Sequence, residues 1–373
     1  MPPPTDVDPS PDDGPDRIPV ETFADDLKPG TRLLGGQYTI LGFLNSGGFG
    51  ITYLAKDSLD RQVVIKECFP NALCRRSTSL VRARSRKHAG ELRNFVETFI
   101  DEARNLARLV HPNIVGVHQV FEDNDTAYMA IDFVDGKDLQ DILSSTDRAF
   151  TPDEIVVLLK KMLGAVEFIH QAGILHRDIS PDNILIDRDR NPVLIDFGAA
   201  SRAVLVPTRV VTGRRVVKDG YSPQELYLTG AAQSPASDLY ALGATFHHVI
   251  SGAAPPEAQR RLALIADGAP DPYQPLAGRF EGYPPGFLAA IDQALRVLQK
   301  DRVQSAAAWA ELIRQGEEGI VEAAAPQRPA PAPSAFAAGI MAHPAVANNL
   351  GYVVGAGTVF ALSALVGLWF LLT

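Results

Sequence analysis

Residues 176–183 read HRDISPDN, an aspartate set five places ahead of an asparagine, with a serine, a proline and a second aspartate between them and no lysine anywhere in the stretch. A proline-bearing loop that fixes a carboxylate and a carboxamide at this spacing suits work on a phosphate, where positioning and charge neutralisation matter more than covalent chemistry. The missing lysine raises the question of where a neutralising cation would come from.

The chain around this loop is long enough for a two-lobed enzyme: 373 residues, 46% hydrophobic, with a formal net charge of -9. That acidic balance argues against wholesale nucleic-acid binding, which needs a basic footprint to displace counterions. Cys68 and Cys74 are too few for a disulfide framework and stand in no metal-ligand spacing, so they read as reduced thiols.

Upstream, QYTILGFL (37–44) alternates as a strand, a glycine cluster follows, and ITYLAKD and RQVVIKECF read as two strands of an antiparallel hairpin. Between Phe95 and Val110 the apolar residues recur at three- and four-residue steps, which describes an amphipathic helix that His111-Pro112 ends. IVGVHQVFED and TAYMAIDFV add two strands. Thr151, Pro152 and Glu154 then open a helix that Gly173 is placed to stop. A strand-rich first third and a helix-rich second half predict an α+β enzyme of two lobes with a cleft between them.

NSGGFGITY puts Gly47, Gly48 and Gly50 on a strand–turn–strand, where absent side chains let backbone N–H groups approach a polyphosphate. Lys66 in VVIK follows on a neighbouring strand. Taken in order with Glu102, Asp178, Asn183 and Asp196 of LIDFGAA, this set resembles the protein-kinase superfamily, and the wording GGFGITY, IKECFP and HRDISPDN looks most like a branch of bacterial, eukaryotic-like serine/threonine kinases. The resemblance covers residues 37 to about 315.

It implies a kinase-like fold, a small antiparallel sheet lobe with one helix and a larger helical lobe, using ATP and Mg²⁺. Asp178 would orient the attacking hydroxyl, Asn183 and Asp196 would hold the metal, and Lys66 would bridge phosphates while paired to Glu102. The nucleotide would meet Asn45, Gly47, Gly48, Phe49, Gly50, Thr52 and Val64 of the roof. Ile131 would be the gatekeeper, the backbone of Asp132 and Val134 would bond adenine, Asp138 would take the ribose, and Leu185 would floor the base. Arg177, Phe197 and Gly198 would support the catalytic and metal loops. Glu225 and Arg302 would form an ion pair tying the activation segment to the helical lobe, and Asp238 would hold the catalytic loop's backbone.

This chain departs from the pattern at Asn45, where the family has glycine, at Thr52, where it has valine, and at Val64, where it has alanine. Ser180 replaces the usual catalytic-loop lysine. Lys218, three residues before Tyr221, stands where the family has a threonine that touches the catalytic aspartate, and we expect it to reach in and replace the missing cation. A nucleotide-sensing pseudokinase is the alternative. Thr208 and Thr212 are candidate phosphorylation sites that would face Arg177.

The expected domains are an acidic, proline-rich tail over 1–36, an N-lobe over 37–133, a C-lobe over 134–318, an Ala/Pro-rich linker over 319–348 and a transmembrane helix over 349–373. Leu350 to Leu372 runs without a formal charge, long enough to cross ~30 Å of hydrocarbon. Arginines ahead of it and no charge behind it favour a single pass through the cell inner membrane with the catalytic body cytoplasmic. Arginines concentrated in the 75–93 insert read first as a solvated loop and second as a grip for an acidic or phosphorylated partner. Protein substrates and the upstream signal are not legible.

Overall fold

The computed structural model describes residues 25–145, 150–197, 217–228 and 230–324. Gly198, Thr208, Thr212, most of the expected tail, the expected linker from 325 on and the expected span at 349–373 fall outside them. Among the described residues no helix is long and apolar enough to cross a membrane.

Strand-forming runs of β-branched and aromatic residues build the first lobe. β1 (Arg32–Leu33), β2 (Tyr38–Ser46), β3 (Gly50–Asp57), β4 (Gln62–Cys68), β7 (Val117–Asp123) and β8 (Thr126–Asp132) form one antiparallel sheet in the order β1-β2-β3-β4-β8-β7. A two-stranded hairpin, β5 (Cys74–Ser77) and β6 (Leu80–Ala83), is inserted between β4 and helix α1 (Arg86–Leu106). Buried side chains from β2, β3, β4 and β8, among them Ile40, Tyr53, Ile65 and Tyr128, make a first core on one face of the sheet.

The second lobe is helical: α2 (Leu139–Ser144), α3 (Pro152–Gln171), α4 (Gln224–Tyr227), α5 (Pro235–Ser251), α6 (Ala258–Ala266), α7 (Phe287–Ala294) and α8 (Ala306–Ala324). α3 begins with the capping box expected from its sequence, Thr151 with Glu154, and Gly173 after it takes φ +74°. α3, α5, α7 and the buried Trp309 of α8 share a larger second core. Where the lobes meet, β9 (Gly136–Asp138), β10 (Ile184–Asp187) and β11 (Pro192–Leu194) form a small sheet that carries the catalytic-loop residues to the floor of the cleft.

Four boundaries differ from the sequence reading. Residues 25–36 are not tail: Leu27 and Leu33 are buried, β1 pairs with β2, and Leu27 N–H donates to Tyr53 Oη at 3.1 Å, so the apolar leucines of this stretch outweigh its acidic neighbours. α1 runs from Arg86 to Leu106: Ser85 caps it ten residues before the apolar periodicity becomes clear at Phe95, and Val110 lies beyond its end, exposed. The basic run from 75 is a hairpin followed by the first turns of that helix, not a solvated loop. Residues 319–324 continue α8 instead of opening the linker.

One buried ion pair fastens α4 to the helical lobe. Arg302 Nη1 and Nη2 meet Glu225 Oε1 and Oε2 at 2.7 and 3.0 Å, and Ser237 Oγ donates to Glu225 Oε1 at 2.7 Å. The remaining guanidinium donors reach the carbonyls of Arg296, Val297 and Ala236, and the ion lies over the Tyr240 ring. With every donor used, breaking one side is costly: Arg302→Ala should lower unfolding free energy by about 3–5 kcal/mol. Arg302→Met with Glu225→Gln should lose clearly less in the same urea titration, because neither variant residue strands a charge.

Candidate active site

The catalytic loop is held by one carboxylate from below. Asp238, in the first turn of α5 and 1% exposed, accepts from His176 N–H at 2.8 Å with Oδ2 and from Arg177 N–H at 2.8 Å with Oδ1, while His170 Nε2 lies 2.9 Å from Oδ2. Arg177 takes φ +65°, a conformation that costs a non-glycine residue free energy, and these bonds hold it there.

His176 is fully buried and ties this loop to the segment bearing Asp196. Its Nε2 is 3.0 Å from Ile195 O and therefore donates, while Nδ1 accepts from Asp178 N–H at 3.3 Å. One nitrogen giving and one receiving define the neutral ring, and burial holds its pKa below the ordinary value despite the nearby Asp238 and Asp178 charges. Phe197, buried, packs on the same imidazole with ring centroids 4.6 Å apart.

Asn183 Nδ2 donates to Asp178 O at 2.7 Å, and Ile195 N–H donates to Asn183 O at 3.0 Å, so the β10–β11 hairpin brings Asn183 and Asp196 to the same end of the small sheet. Asp196 takes φ +61°, with its carboxylate partly exposed. An amide oxygen and a carboxylate are hard-oxygen donors of the kind Mg²⁺ takes together with substrate phosphates, and Asn183, already donating through its nitrogen, has its oxygen left for that purpose. The residues present fit the ion.

Lys66 lies on β4 between Thr52 of β3 and Met129 of β8, and its Nζ is 2.6 Å from Asp196 Oδ1. This corrects the sequence expectation, which paired Lys66 with Glu102. Both residues line the same cleft with Asn45, Gly47, Phe49, Gly50, Thr52 and Phe197, but the ion pair goes to Asp196. The glycine-rich turn closes through Gly47 N–H to Gly50 O at 2.9 Å, and its Phe49 stacks on Phe95 of α1 at 5.5 Å. A Cβ on Gly50 would stand 2.7 Å from Glu67 O, so that glycine is required by its own sheet, whereas Gly47 and Gly48 have open space around them.

Along the hinge, Val64 pairs with Ile131 across β4 and β8, and both Val64 and Val134 pack on the second core. Asp132 N–H is spent on Gly116 O, and its carboxylate accepts from Gly116 N–H and meets His118. Asp138 lies opposite Leu185 in the small sheet and caps α2 by accepting from Asp141 N–H at 2.7 Å. Burial, with Asp141 and Asp182 nearby, raises its pKa.

Lys218 reaches the catalytic loop. Its Nζ donates to Ser180 Oγ at 2.7 Å and to Asp182 Oδ2 at 2.7 Å, and lies 3.3 Å from Asp178 Oδ1. Ser180 is fully buried, and Ser222 Oγ accepts from Lys218 N–H at 2.9 Å to fix the start of the reach. Burial alone would push Asp182 up; the hydrogen bond and charge of Lys218, helped by Ser180, outweigh it and hold the carboxyl below its usual range. Tyr221, one turn ahead of Glu225, bonds His248 Nδ1 at 2.6 Å.

Sequence reasoning missed Asp182 as a partner of Lys218, Phe95 as the seat of Phe49, and the buried Glu67 beside Lys66. The last carried a signal, a charged residue at an alternating position of an apolar strand.

A model of the protein kinase domain matches residues 38–303. The chain belongs to the protein kinase family. Among curated relatives, serine/threonine-protein kinase PksC of Streptomyces coelicolor is 31% identical over 75% of this chain and 49% of its own length, and pkn2 of Myxococcus xanthus is 30% identical over 79% and 34%. PrkC of Bacillus subtilis is 29% identical over 62% and 33%, so the chain spans about a third to a half of these relatives. A solved structure titled PpkA-294 apo form superposes with a TM-score of 0.65 at 36% identity, covering 78% of this chain and all of that one. The family is the bacterial serine/threonine type, and the two lobes and their cleft are those of a kinase.

The neutral His176 makes a pH prediction, reinforced by His247, also buried and lowered in pKa chiefly by desolvation. Their folded pKa values lie below the unfolded ones, so as pH falls the unfolded chain takes up protons first. Stability should be flat between pH 7 and 8 and decline below about 6.5, by up to ~1.4 kcal/mol per pH unit for each histidine. Urea unfolding at stepped pH measures this; stability that climbs as pH falls from 6.5 would contradict it.

Proposed function

We propose that this chain is an ATP- and Mg²⁺-dependent serine/threonine protein kinase that transfers the γ-phosphoryl group to protein hydroxyls, with Lys218 in place of the cation that Ser180 does not provide. The observation that carries the proposal is the Lys218 ammonium at 2.7 Å from Ser180 Oγ and 3.3 Å from Asp178 Oδ1. The names of the curated relatives support the acceptor class.

In this reading Asp178 accepts the proton of the attacking hydroxyl, and Lys218 beside it offsets the charge of the phosphoryl group in transit. Lys66, which lines the cleft beside the glycine-rich turn, leaves Asp196 for the phosphates. Asn183 and Asp196 would hold Mg²⁺, which would supply charge neutralisation at the phosphate oxygens. Ile131, Val64 and Leu185 sandwich the base, with the Asp132 carbonyl and Val134 backbone at its edge. Asn45 and Thr52 make that roof more polar than the usual glycine and valine.

We further propose that residues 349–373 tether the chain to the membrane with the catalytic body on the cytoplasmic side, through the linker that follows α8. The cations of the 75–93 insert that remain exposed, such as Arg75 and Arg93, offer a surface to an acidic or phosphorylated partner. A nucleotide-sensing pseudokinase is the second reading, and the Lys66–Asp196 pair is the observation that favours it.

Labelled ATP decides between them. With Mg²⁺ and a generic protein acceptor, the wild-type chain should transfer label and Asp178→Asn should not. Lys218→Ala should cut turnover at least about 100-fold, as deeply as Lys66→Ala, because each removes a preorganised charge from the transferring group. Near-wild-type turnover in Lys218→Ala would refute the replacement, and label that never leaves ATP in the wild type would leave the scaffold.

A further inference from the structure

The opposite face of the catalytic-lysine strand holds a buried ion that the mechanism does not use. Side chains alternate along β4, so Lys66 faces the cleft with Thr52 and Met129, and Glu67 faces the first core with Ile51 and Tyr128. The Glu67 side chain is 0% exposed. It accepts from Tyr53 Oη at 2.8 Å and Tyr128 Oη at 2.8 Å, and among the described residues its ion-pair partner is Arg76, whose Nη2 lies 2.5 Å away.

A carboxylate enclosed among isoleucines and tyrosines costs several kcal/mol unless it is paired and hydrogen-bonded. Arg76 is delivered for that purpose by β5 of the inserted hairpin, and it does more than neutralise. Its Nε donates to Asp25 O at 2.5 Å, its Nη1 to Ser79 O at 3.0 Å and its backbone N–H to Asp25 Oδ1 at 3.1 Å, while the guanidinium lies over Phe69. The residue 25–36 strap therefore closes on the sheet through the same arginine, and Leu27 N–H adds a bond to Tyr53 Oη. The hairpin also leads through the Ser85 cap into α1, so it joins the strand of Lys66 to the helix of Glu102.

We propose that Arg76 is a positioning residue for nucleotide binding: by gripping Glu67 from behind, it fixes β4 so that Lys66, one residue along, is presented to the phosphates. The claim rests on the phosphoryl-transfer reading above. Without Arg76, β4 loses its anchor to the hairpin and the strap, and where Glu67 keeps its charge the carboxylate also moves toward water. The hairpin and the strap are then working parts of the nucleotide site, though neither touches it.

The test uses the full-length chain and a fluorescent ATP analogue with Mg²⁺, with Lys66→Ala as reference. Arg76→Met should raise the Kd for the analogue about tenfold and the KM for ATP with it, with a smaller fall in kcat, since weakening one charge-assisted contact to a phosphate by about 1.4 kcal/mol is a tenfold loss of affinity. Arg76→Lys, which keeps a cation for Glu67, should recover most of the affinity. Glu67→Gln with Arg76→Met strands no charge and should regain thermal stability while still binding more weakly than wild type, which keeps the measurement open if the single variant does not fold. A folded Arg76→Met or double variant that binds as wild type does would overturn the proposal. Failure of the wild-type chain itself to bind the analogue would overturn the phosphoryl-transfer reading instead, and this inference with it.

Discussion

The site is organised by one ammonium group reaching from outside the catalytic loop into it. Lys218 touches Ser180, Asp182 and Asp178 together, and the short serine side chain is what leaves it room. A loop lysine would be present whenever the loop is folded. A lysine carried by the segment before Tyr221 arrives only when that segment is seated, through Ser222, Glu225 and the buried Arg302. The residues that fasten the segment thus also deliver a charge, and in the proposed mechanism chemistry becomes conditional on segment order.

Rigidity beneath this cation comes from two buried polar nodes. Asp238 holds two successive backbone N–H groups and permits the left-handed turn at Arg177, and the neutral His176 ties that turn to Ile195, next to Asp196. Each satisfies its hydrogen-bonding capacity inside the protein, which is how a polar group in a low-dielectric core comes to fix geometry instead of weakening it. The upper side of the cleft has its own node in Glu67 and Arg76, and between the two the Lys66–Asp196 pair spans the lobes. That pair places the lysine beside the carboxylate proposed to hold the metal, and in the proposed mechanism seating a nucleotide requires Lys66 to leave it.

Much of this was legible in the residues. Strand alternation placed β2, β-type runs placed β3 and β4, the Thr151–Glu154 box placed α3, and the family resemblance at Tyr221 and Glu225 implied that Lys218 reaches the catalytic loop. What was not legible depended on contacts distant in sequence. The strap at 25–36 looked like tail because its two buried leucines make no periodic pattern; they are recognisable only once Tyr53 and the sheet are in place. The hairpin at 74–83 was hidden by its arginines, since a charge run reads as solvated until one of its members is found facing a buried glutamate. The partner of Lys66 was misjudged because sequence order gives the set of charges in a cleft and not which of two carboxylates is nearer.

The central claim is that position 218 supplies what position 180 lacks, and exchanging the two side chains tests it most directly. Lys218→Thr should abolish most phosphoryl transfer, and adding Ser180→Lys to it should restore a substantial fraction, because the ammonium then rises from within the loop toward the same carboxylate. Full activity in Lys218→Thr alone, or no recovery in a double variant that folds and binds nucleotide, would contradict the account.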